Sequence, residues 1–343
     1  YSYGSKTVDL HIQRLRKKTL CIEEENVMRF IKDLTEGERI NEIYLCRKKQ
    51  SALTKAGKPY ESLMLQDKTG TLDAKIWEPS SMGIDDYDEL DYIWVQGDIT
   101  SFQGAYQLNI KRLRVAQEGE YIPADYLPCS DKDVDLMYEE LLGFIGTIKA
   151  PYMKQLLLSF FADEEFAKRF KFHSAAKSVH HGYVGGLLEH TLGVTKNCDF
   201  YAQTYPILNR DLLLTAAIFH DIGKLDELSP FPQNDYTDEG QLLGHIMIGA
   251  AKVQERINTI EGFPEVKARE LIHCILAHHG ELEFGSPKKP AIAEAVALSF
   301  ADNIDAKMET MKEALGNVAE GDLKWQGFNR LFDSNIRKTS TEE

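Results

Sequence analysis

Long apolar runs are missing from this sequence. The longest lies near residues 212–219, far short of the roughly 20 residues that a membrane-spanning helix needs, so we expect no membrane span and no membrane partner. Paired cysteines are missing as well, because the five cysteines are widely spaced and never form a C-x-x-C motif. No secretory signal is recognised at the N-terminus, and this cysteine usage favours a reducing, cytoplasmic location.

An excess of positive charge is also missing. The 343 residues include 40 basic and 54 acidic side chains, a net charge of −14, so bulk charge does not attract nucleic acid and any such binding must be local. Internal repeats and low-complexity tracts are not found. Hydrophobic residues make up 43% and charged residues 27%, which is typical of globular proteins, and the length predicts two domains.

Short β-rich runs begin at residue 39, after an N-terminal appendage (residues 1–38) of unknown role. Five strands are predicted at residues 40–46, 60–66, 71–77, 92–97 and 106–115. An acidic loop or short helix follows the third strand. Five strands with an insertion at this point resemble the OB-fold, a small barrel that often holds single-stranded nucleic acid. We therefore expect an N-terminal five-stranded OB-fold β-barrel over residues 39–116.

The predicted barrel offers a candidate nucleic-acid surface. Residues 39–78 carry eight basic and five acidic side chains, and alternation in the third strand directs Lys75 and Trp77 outward. An outward Trp beside a Lys suits base stacking, at about 1 to 3 kcal/mol per stacked base, together with phosphate attraction. The candidate nucleic-acid-binding residues are Trp77, Lys75, Tyr60, Lys48, Lys49 and Lys58. Barrel packing is the alternative for Tyr60, and a solvated loop is the alternative for the lysines.

The composition changes between residues 117 and 140, where eight acids stand against one lysine. We interpret this stretch as an acidic, solvated linker. Helical periodicity then prevails, so residues 141–315 predict an all-α domain, followed by a C-terminal tail at residues 316–343.

The helical domain holds nine of the ten histidines, and several interrupt apolar helices. The polar positions are His190, His220 with Asp221, His245, His278 or His279, and Asp302. Burying one such group without a partner costs several kcal/mol, at about 2 to 7 for a neutral group, and a shared cation removes this cost. Imidazole and carboxylate without thiolate suit Mn²⁺, Fe²⁺, Co²⁺ or Ni²⁺ better than a Cys-rich zinc site.

Each of these residues also has an ordinary explanation. A single histidine such as His190 or His245 on an apolar helix is more often a satisfied core residue. His220 with Asp221 fits a helix C-terminus, and Asp302 fits an N-cap or a helix-face acid. Five positions that offer only imidazole and carboxylate are, however, hard to explain as independent accidents.

The order H, HD, H, H, D resembles the HD superfamily of metal-dependent phosphohydrolases, and the two extra histidines indicate its dinuclear subtype. Longer stretches are similar to the YhaM-type bacterial 3′–5′ exoribonucleases, over about residues 39–312. These stretches are HHGYVGGLLEHT (180–191), FHDIGK (219–224), YTDEGQLLGH (236–245) and AHHG (277–280). The resemblance implies an OB-fold followed by an HD domain, and Mn²⁺- or Co²⁺-dependent trimming of single-stranded RNA, and often DNA, from the 3′ end. It also permits a homo-oligomer.

Our hypothesis for this site is a two-metal mechanism that releases 5′-nucleotides. Two divalent ions, Mn²⁺ foremost and otherwise Co²⁺, Fe²⁺ or Ni²⁺, share Asp221. One ion is completed by His190, His220 and Asp302, and the other by His245 and His278.

Three further residues are expected to serve catalysis or substrate binding. Lys224 can offset charge on the phosphate, although a helix C-terminal cation is an equal alternative. His279 is expected to meet the substrate, and sequence alone leaves its role interchangeable with that of His278. His180 and His181 are expected as solvent-exposed histidines at the start of the His190 helix, where His181 is a candidate phosphate contact.

Other functions stay open at this point. An HD phosphohydrolase of free or cyclic nucleotides would use the same chemistry, with the β domain as a regulatory module. A non-catalytic single-strand-binding protein with structural metals is a second alternative, and a di-iron oxygenase is a distant third.

Overall fold

The chain forms two compact units, divided between Tyr126 and Leu127, in a computed structural model that describes residues 28–102, 104–177, 181–316 and 318–340. Residues 1–27 of the predicted appendage lie outside the described residues. Residues 28–38 pack onto the first unit, where the Ile31 N–H donates to Asp67 Oδ2 at 2.6 Å and the Tyr44 hydroxyl donates to the Arg29 carbonyl at 2.9 Å.

Five strands close the first unit into a barrel, which confirms the predicted OB-like fold. They are β1 (Arg39–Leu53), β2 (Pro59–Asp67), β3 (Gly70–Ile76), β4 (Tyr92–Phe102) and β5 (Ala105–Val115). The strand order is β1-β2-β3-β5-β4, and neighbouring strands are antiparallel except for the parallel pair β3 and β5. Closure pairs both outer strands, so the barrel exposes no long unpaired edge.

The predicted alternation in β3 is confirmed. Leu72, Ala74 and Ile76 are buried in the barrel core, whereas the Lys75 side chain points outward and Trp77 is 49% exposed. Strand β1 runs seven residues past its predicted end because a register shift between Cys46 and Lys48 interrupts the apolar alternation. The basic residues beyond that shift continue the ladder with β2.

The second unit is helical, as predicted. Its helices are α1 (Val134–Thr147), α2 (Pro151–Phe161), α3 (Glu164–Phe172), α4 (Gly186–Thr204), α5 (Arg210–Phe219), α6 (Lys224–Glu227), α7 (Asp238–Ile257), α8 (Glu265–Ala277) and α9 (Ala293–Gly316). Side chains of Asp133, Asp163, Asn209 and Thr237 cap α1, α3, α5 and α7. The apolar run 212–219 forms most of α5 and is entirely buried. The end of this helix therefore lies in the interior, and the residues that follow it, His220 and Asp221, are buried as well. Among the helices described, none is long and apolar enough to cross a membrane.

Two segments differ from the predicted linker and tail. Residues 134–140, assigned to the linker, form the first turns of α1, because the Asp133 side chain accepts the N–H groups of Asp135 and Leu136. The acids of this stretch face solvent while Met137 and Tyr138 are buried. In the predicted tail, β6 (Phe328–Asn329) and β7 (Ser334–Asn335) form a short hairpin.

Among the glycines of the barrel, Gly97 leaves the least room for a side chain, because β4 packs closely against β5 at this residue. A Cβ at this residue would lie 2.3 Å from the Asn109 carbonyl oxygen. We expect Gly97→Ala to lower the free energy of unfolding of the barrel by about 1 to 3 kcal/mol, as overpacking does.

Chemical denaturation followed by circular dichroism measures this change. Gly70→Ala is the matched control, because a Cβ at Gly70 meets no atom within 4 Å, and its effect should stay within about 0.5 kcal/mol. Equal stability of the two variants would contradict the packing argument.

Candidate metal centre

Four polar side chains from three segments of the chain meet at the buried end of α5. His220 and Asp221 directly follow this helix, His190 comes from α4 and Asp302 from α9. His190 Nε2 lies 3.2 Å from His220 Nε2, 3.3 Å from Asp221 Oδ2 and 3.2 Å from Asp302 Oδ1. These four atoms form what we call the first subsite.

The other carboxylate oxygen of Asp221 faces a second group of histidines. Asp221 Oδ1 lies 3.4 Å from His245 Nε2 and 3.6 Å from His278 Nε2. His245, His278 and His279 also form a cluster in which each ring offers a nitrogen within 4.8 Å of the others. We call this group, with Asp221 Oδ1, the second subsite. One carboxylate therefore joins two sets of imidazoles.

Each imidazole is fixed through its Nδ1 atom. The acceptors are Asp305 for His190 (2.7 Å), the Ala217 carbonyl for His220 (2.7 Å), Glu227 for His245 (3.0 Å), the Ile275 carbonyl for His278 (2.7 Å) and the Phe284 carbonyl for His279 (2.8 Å). Because carbonyl and carboxylate oxygens only accept, each ring carries a proton on Nδ1, and in a neutral ring the Nε2 lone pair is available. Metal-ligating histidines show this arrangement.

Unsatisfied atoms indicate what the centre binds. Asp221 Oδ1, His245 Nε2 and His278 Nε2 are buried and have no hydrogen-bond partner among the described residues. Each is an acceptor, so leaving it unpaired costs about 1 to 3 kcal/mol. A divalent cation satisfies all three at once. The residues present therefore fit a divalent metal ion, and a donor set of imidazole and carboxylate without thiolate fits an octahedral one.

The charge states around Asp221 also suit a cation. Burial alone raises the pKa of the Asp221 carboxyl, but Lys224 and His220 outweigh it and hold this pKa well below its usual range. Burial lowers the pKa of His278, and His279 and His220 lower it further. At neutral pH the carboxylate is thus ionised and His278 is neutral, which are the states that ligate metal.

His190 shows the opposite balance. Burial lowers its pKa, but hydrogen bonds to Asp221, Asp302 and Asp305 raise it well above the usual value. A proton on Nε2 between two carboxylates takes the place of a cation. Metal binding in the first subsite is therefore linked to the release of this proton.

Two glycines allow His245 to reach the centre. Gly244 interrupts α7 with φ 72° and ψ 156°, a conformation that is essentially restricted to glycine. The break turns the His245 N–H toward Glu227 Oε1 at 3.0 Å. A Cβ on Gly223 would lie 2.0 Å from the His245 carbonyl oxygen, so only glycine permits this close approach.

Two carboxylates of the centre were not predicted from the sequence. Asp305 and Glu227 do not face the subsites but fix His190 and His245 through Nδ1. Asp305 lies one turn after Asp302 on α9, so their i, i+3 spacing was the available signal. Glu227 had no comparable signal, because its contact depends on the break at Gly244.

The environment of Lys224 was only partly predicted. Its ammonium lies 2.6 Å from Asp221 Oδ2, so it neutralises the bridging carboxylate. Lys224 also lines a pocket of about 580 Å³ together with His190, His279 and Asp302. The pocket is partly open to solvent and borders the first subsite at His190 and Asp302.

The prediction of an exposed His181 is wrong. This residue is 2% exposed, precedes α4, and contacts Asp305 Oδ2 at 3.1 Å and the Tyr183 hydroxyl at 3.0 Å. A turn with positive φ at His181 and Gly185 folds the chain back before the helix begins, so the predicted helix start was too early. His181 supports Asp305 and is not placed to touch phosphate. His180 lies outside the described residues.

The barrel surface carries the predicted aromatic pair. Tyr60 stacks on Trp77 with ring centroids 5.3 Å apart, and Trp77 Nε1 donates to Asn109 Oδ1 at 2.8 Å. Lys75 Nζ donates to Ser62 Oγ at 2.5 Å on the same outer surface.

The three predicted lysines of the barrel differ in their surroundings. Lys48 and Lys58 are exposed. Lys49 is half-buried, and its ammonium donates to the Tyr87 carbonyl at 2.8 Å and lies over the Tyr87 ring. Lys49 is therefore committed to contacts within the barrel.

Comparison with known proteins agrees with this geometry. Residues 187–307 match the family model of the HD domain. The chain is 33% identical to the 3′-5′ exoribonuclease YhaM of Bacillus velezensis and 32% identical to that of Bacillus subtilis. Each alignment spans 303 residues, 86% of this chain and 95% of the relative.

Among solved structures, the second OB-fold domain of replication protein A from Methanococcus maripaludis covers 28% of this chain and all of that domain. It is 15% identical, with a TM-score of 0.22, so the barrel is assigned from its own strand order.

Fold and site together define a protein with an OB-like barrel and an HD domain that carries a candidate dinuclear centre. The extent and identity of the match then identify the family. The chain belongs to the YhaM family of 3′–5′ exoribonucleases.

Asp305 provides a test of the first subsite. Asp305→Asn keeps the size of the side chain but removes the charge that supports the His190 ring. We expect it to weaken Mn²⁺ binding about 10- to 100-fold, as measured by isothermal titration calorimetry. Asp199→Asn is the control, since Asp199 pairs with Arg210 outside the centre. Unchanged affinity in Asp305→Asn would contradict the orienting role.

Proposed function

We propose that this protein is a metal-dependent exoribonuclease that removes 5′-nucleotides one at a time from the 3′ end of single-stranded RNA, and also of single-stranded DNA. One observation carries the proposal: Asp221 presents its two oxygens to two separate groups of anchored imidazoles. Such a bridging carboxylate is what a pair of ions requires. Membership of the YhaM family supports the choice of substrate.

The ligands are divided between the subsites. His190, His220, Asp221 and Asp302 would hold one ion, and Asp221, His245 and His278 the other, with Mn²⁺ as the preferred metal and Co²⁺, Fe²⁺ or Ni²⁺ as alternatives. When bound, two such ions supply Lewis acidity that lowers the pKa of water and offsets charge on the transferring phosphate.

Protein side chains position the substrate beside these ions. Lys224 lines the pocket with its ammonium against Asp221, where it offsets negative charge as the phosphate approaches. The Nδ1–H of His279 donates to the Phe284 carbonyl, and burial lowers the pKa of this imidazole. The ring is therefore neutral, and its Nε2 can accept a proton. This nitrogen is available to a hydroxyl group of the substrate or to an ion in the second subsite.

The barrel would hold the strand that the HD domain shortens. The exposed Trp77, stacked on the half-buried Tyr60, would form a surface for bases, and Lys75, Lys48 and Lys58 would supply positive charge. Lys49 contributes less, because its ammonium already has partners within the barrel. A reducing cytoplasm and a homo-oligomeric assembly stay predictions.

Asp221→Asn tests the catalytic proposal. Removing the bridging charge disables both subsites, so release of label from a 3′-labelled RNA strand in Mn²⁺ should slow by about a thousandfold or more. Binding of the same strand should persist, as measured by fluorescence anisotropy. Asp135→Asn, at an exposed residue on α1, should digest normally.

A wild-type protein that leaves RNA intact but hydrolyses free or cyclic nucleotides would favour the alternative phosphohydrolase. One that binds RNA without degrading it in Mn²⁺ would favour the single-strand-binding protein.

Trp77→Ala tests the barrel surface. Loss of one stacked base costs about 1 to 3 kcal/mol, so the dissociation constant for single-stranded RNA should rise about 5- to 150-fold. Trp77→Phe keeps an aromatic ring and should lose less. Leu53→Ala, at an exposed residue on β1, is the control for loss of apolar surface. If Trp77→Ala bound RNA as tightly as Leu53→Ala, the surface would not be the binding site.

A further inference from the structure

The pocket at the metal centre is lined by residues from the C-terminal segment. Arg330 and Leu331 line this pocket together with Lys307 of α9, His190 and His279. At about 580 Å³, the pocket has the size of sites that hold small ligands and is larger than one phosphate group requires. Its outer part is therefore available to more of a substrate than the group that reacts.

The hairpin that carries Arg330 is held at its base. The Gln326 N–H donates to the Ile336 carbonyl at 2.8 Å, and the Ile336 N–H donates to the Gly327 carbonyl at 3.3 Å. Ile336 is buried, and the Lys338 ammonium donates to the Val318 carbonyl. Arg330 lies in the turn between β6 and β7. The hairpin is thus a defined element, and Arg330 and Leu331 of its turn line the pocket.

The two cations of the outer pocket are not neutralised by protein carboxylates. Lys224 in the same pocket pairs with Asp221 at 2.6 Å, and Lys312 on the same helix as Lys307 pairs with Glu309 at 2.9 Å. Within the described part of the chain, no carboxylate forms an ion pair with Lys307 or Arg330. Two unpaired cations beside the reaction centre favour an anion as their ligand.

The chemistry of a 3′ end limits which anion this is. The terminal nucleotide of a strand that ends in a 3′-hydroxyl carries a single phosphate, the one that is cleaved. Every other phosphate of the strand lies on the 5′ side of that bond. A second anion-binding position in the pocket of a 3′-exonuclease therefore faces an upstream phosphate.

We propose that Arg330 and Lys307 bind the internucleotide phosphate immediately upstream of the scissile one. This inference rests on the proposed function and specifies how the substrate is held. The guanidinium of Arg330 can donate two parallel hydrogen bonds to a phosphodiester, and Lys307 adds a second positive charge. The predicted C-terminal tail is thus part of the substrate site, and Arg330 is a binding and positioning residue.

A neutral linkage at one defined position tests this inference. Two short RNA strands are compared in single-turnover digestion with Mn²⁺, one with normal linkages and one with a methylphosphonate in place of the first upstream phosphate. Wild-type protein should remove the terminal nucleotide about 10- to 100-fold faster from the normal strand, the difference that a charged hydrogen-bonding pair produces. Arg330→Gln should remove most of this difference, and Lys307→Gln should remove a smaller part of it.

The ratio separates this role from general damage, because a poorly folded variant slows on both strands alike. Arg337→Gln is the matched control, since Arg337 belongs to the same segment but stacks over Trp325, and it should keep the wild-type ratio. A methylphosphonate one linkage further upstream should have a smaller effect.

Two results would overturn the inference. A wild-type ratio near one, or an unchanged ratio in Arg330→Gln, would do so and would leave the nuclease assignment intact. If the wild-type protein removed no nucleotide from the normal strand, the proposed function would fail with it.

Discussion

The structure of the HD domain depends on one buried carboxylate that serves two groups of histidines. Asp221 is almost fully buried, yet its oxygens face His190 and His220 on one side and His245 and His278 on the other. Such a group is tolerated only where positive charge compensates it. Lys224 supplies part of that positive charge. The unpaired Nε2 atoms of His245 and His278 indicate where a cation would supply the rest. The packing of α5 delivers this carboxylate to the interior.

Many buried polar groups of the HD domain serve to orient the imidazole rings. Two carboxylates and three backbone carbonyls accept the Nδ1 protons, and His181 in turn supports Asp305. Ligands held in this way lose little freedom when an ion binds, so affinity is not reduced by ordering the site. The barrel, by contrast, presents Trp77, stacked on the half-buried Tyr60, to solvent. The anchored imidazoles and the exposed Trp77 thus belong to different units of the chain.

Much of this could be predicted because the relevant signals are local. Alternation placed Trp77 and Lys75 outside the barrel, and imidazoles within apolar helices marked the convergence on Asp221. Predictions failed where backbone geometry intervened. A positive-φ turn buried His181 instead of exposing it. Asp305 and Glu227 are ordinary helix acids by pattern, and no periodicity in the sequence marks Arg330 as lining the same pocket as Lys224.

The break in α7 at Gly244 limits which residue can stand directly before His245. Space beside this residue is open, since a Cβ would lie 4.0 Å from the nearest atom, yet its dihedral angles are available to glycine almost alone. The restriction comes from torsion and not from crowding, so more space around residue 244 would not relieve it. A side chain at residue 244 would therefore have to change the path of the backbone into His245, and with it the position of one imidazole of the second subsite.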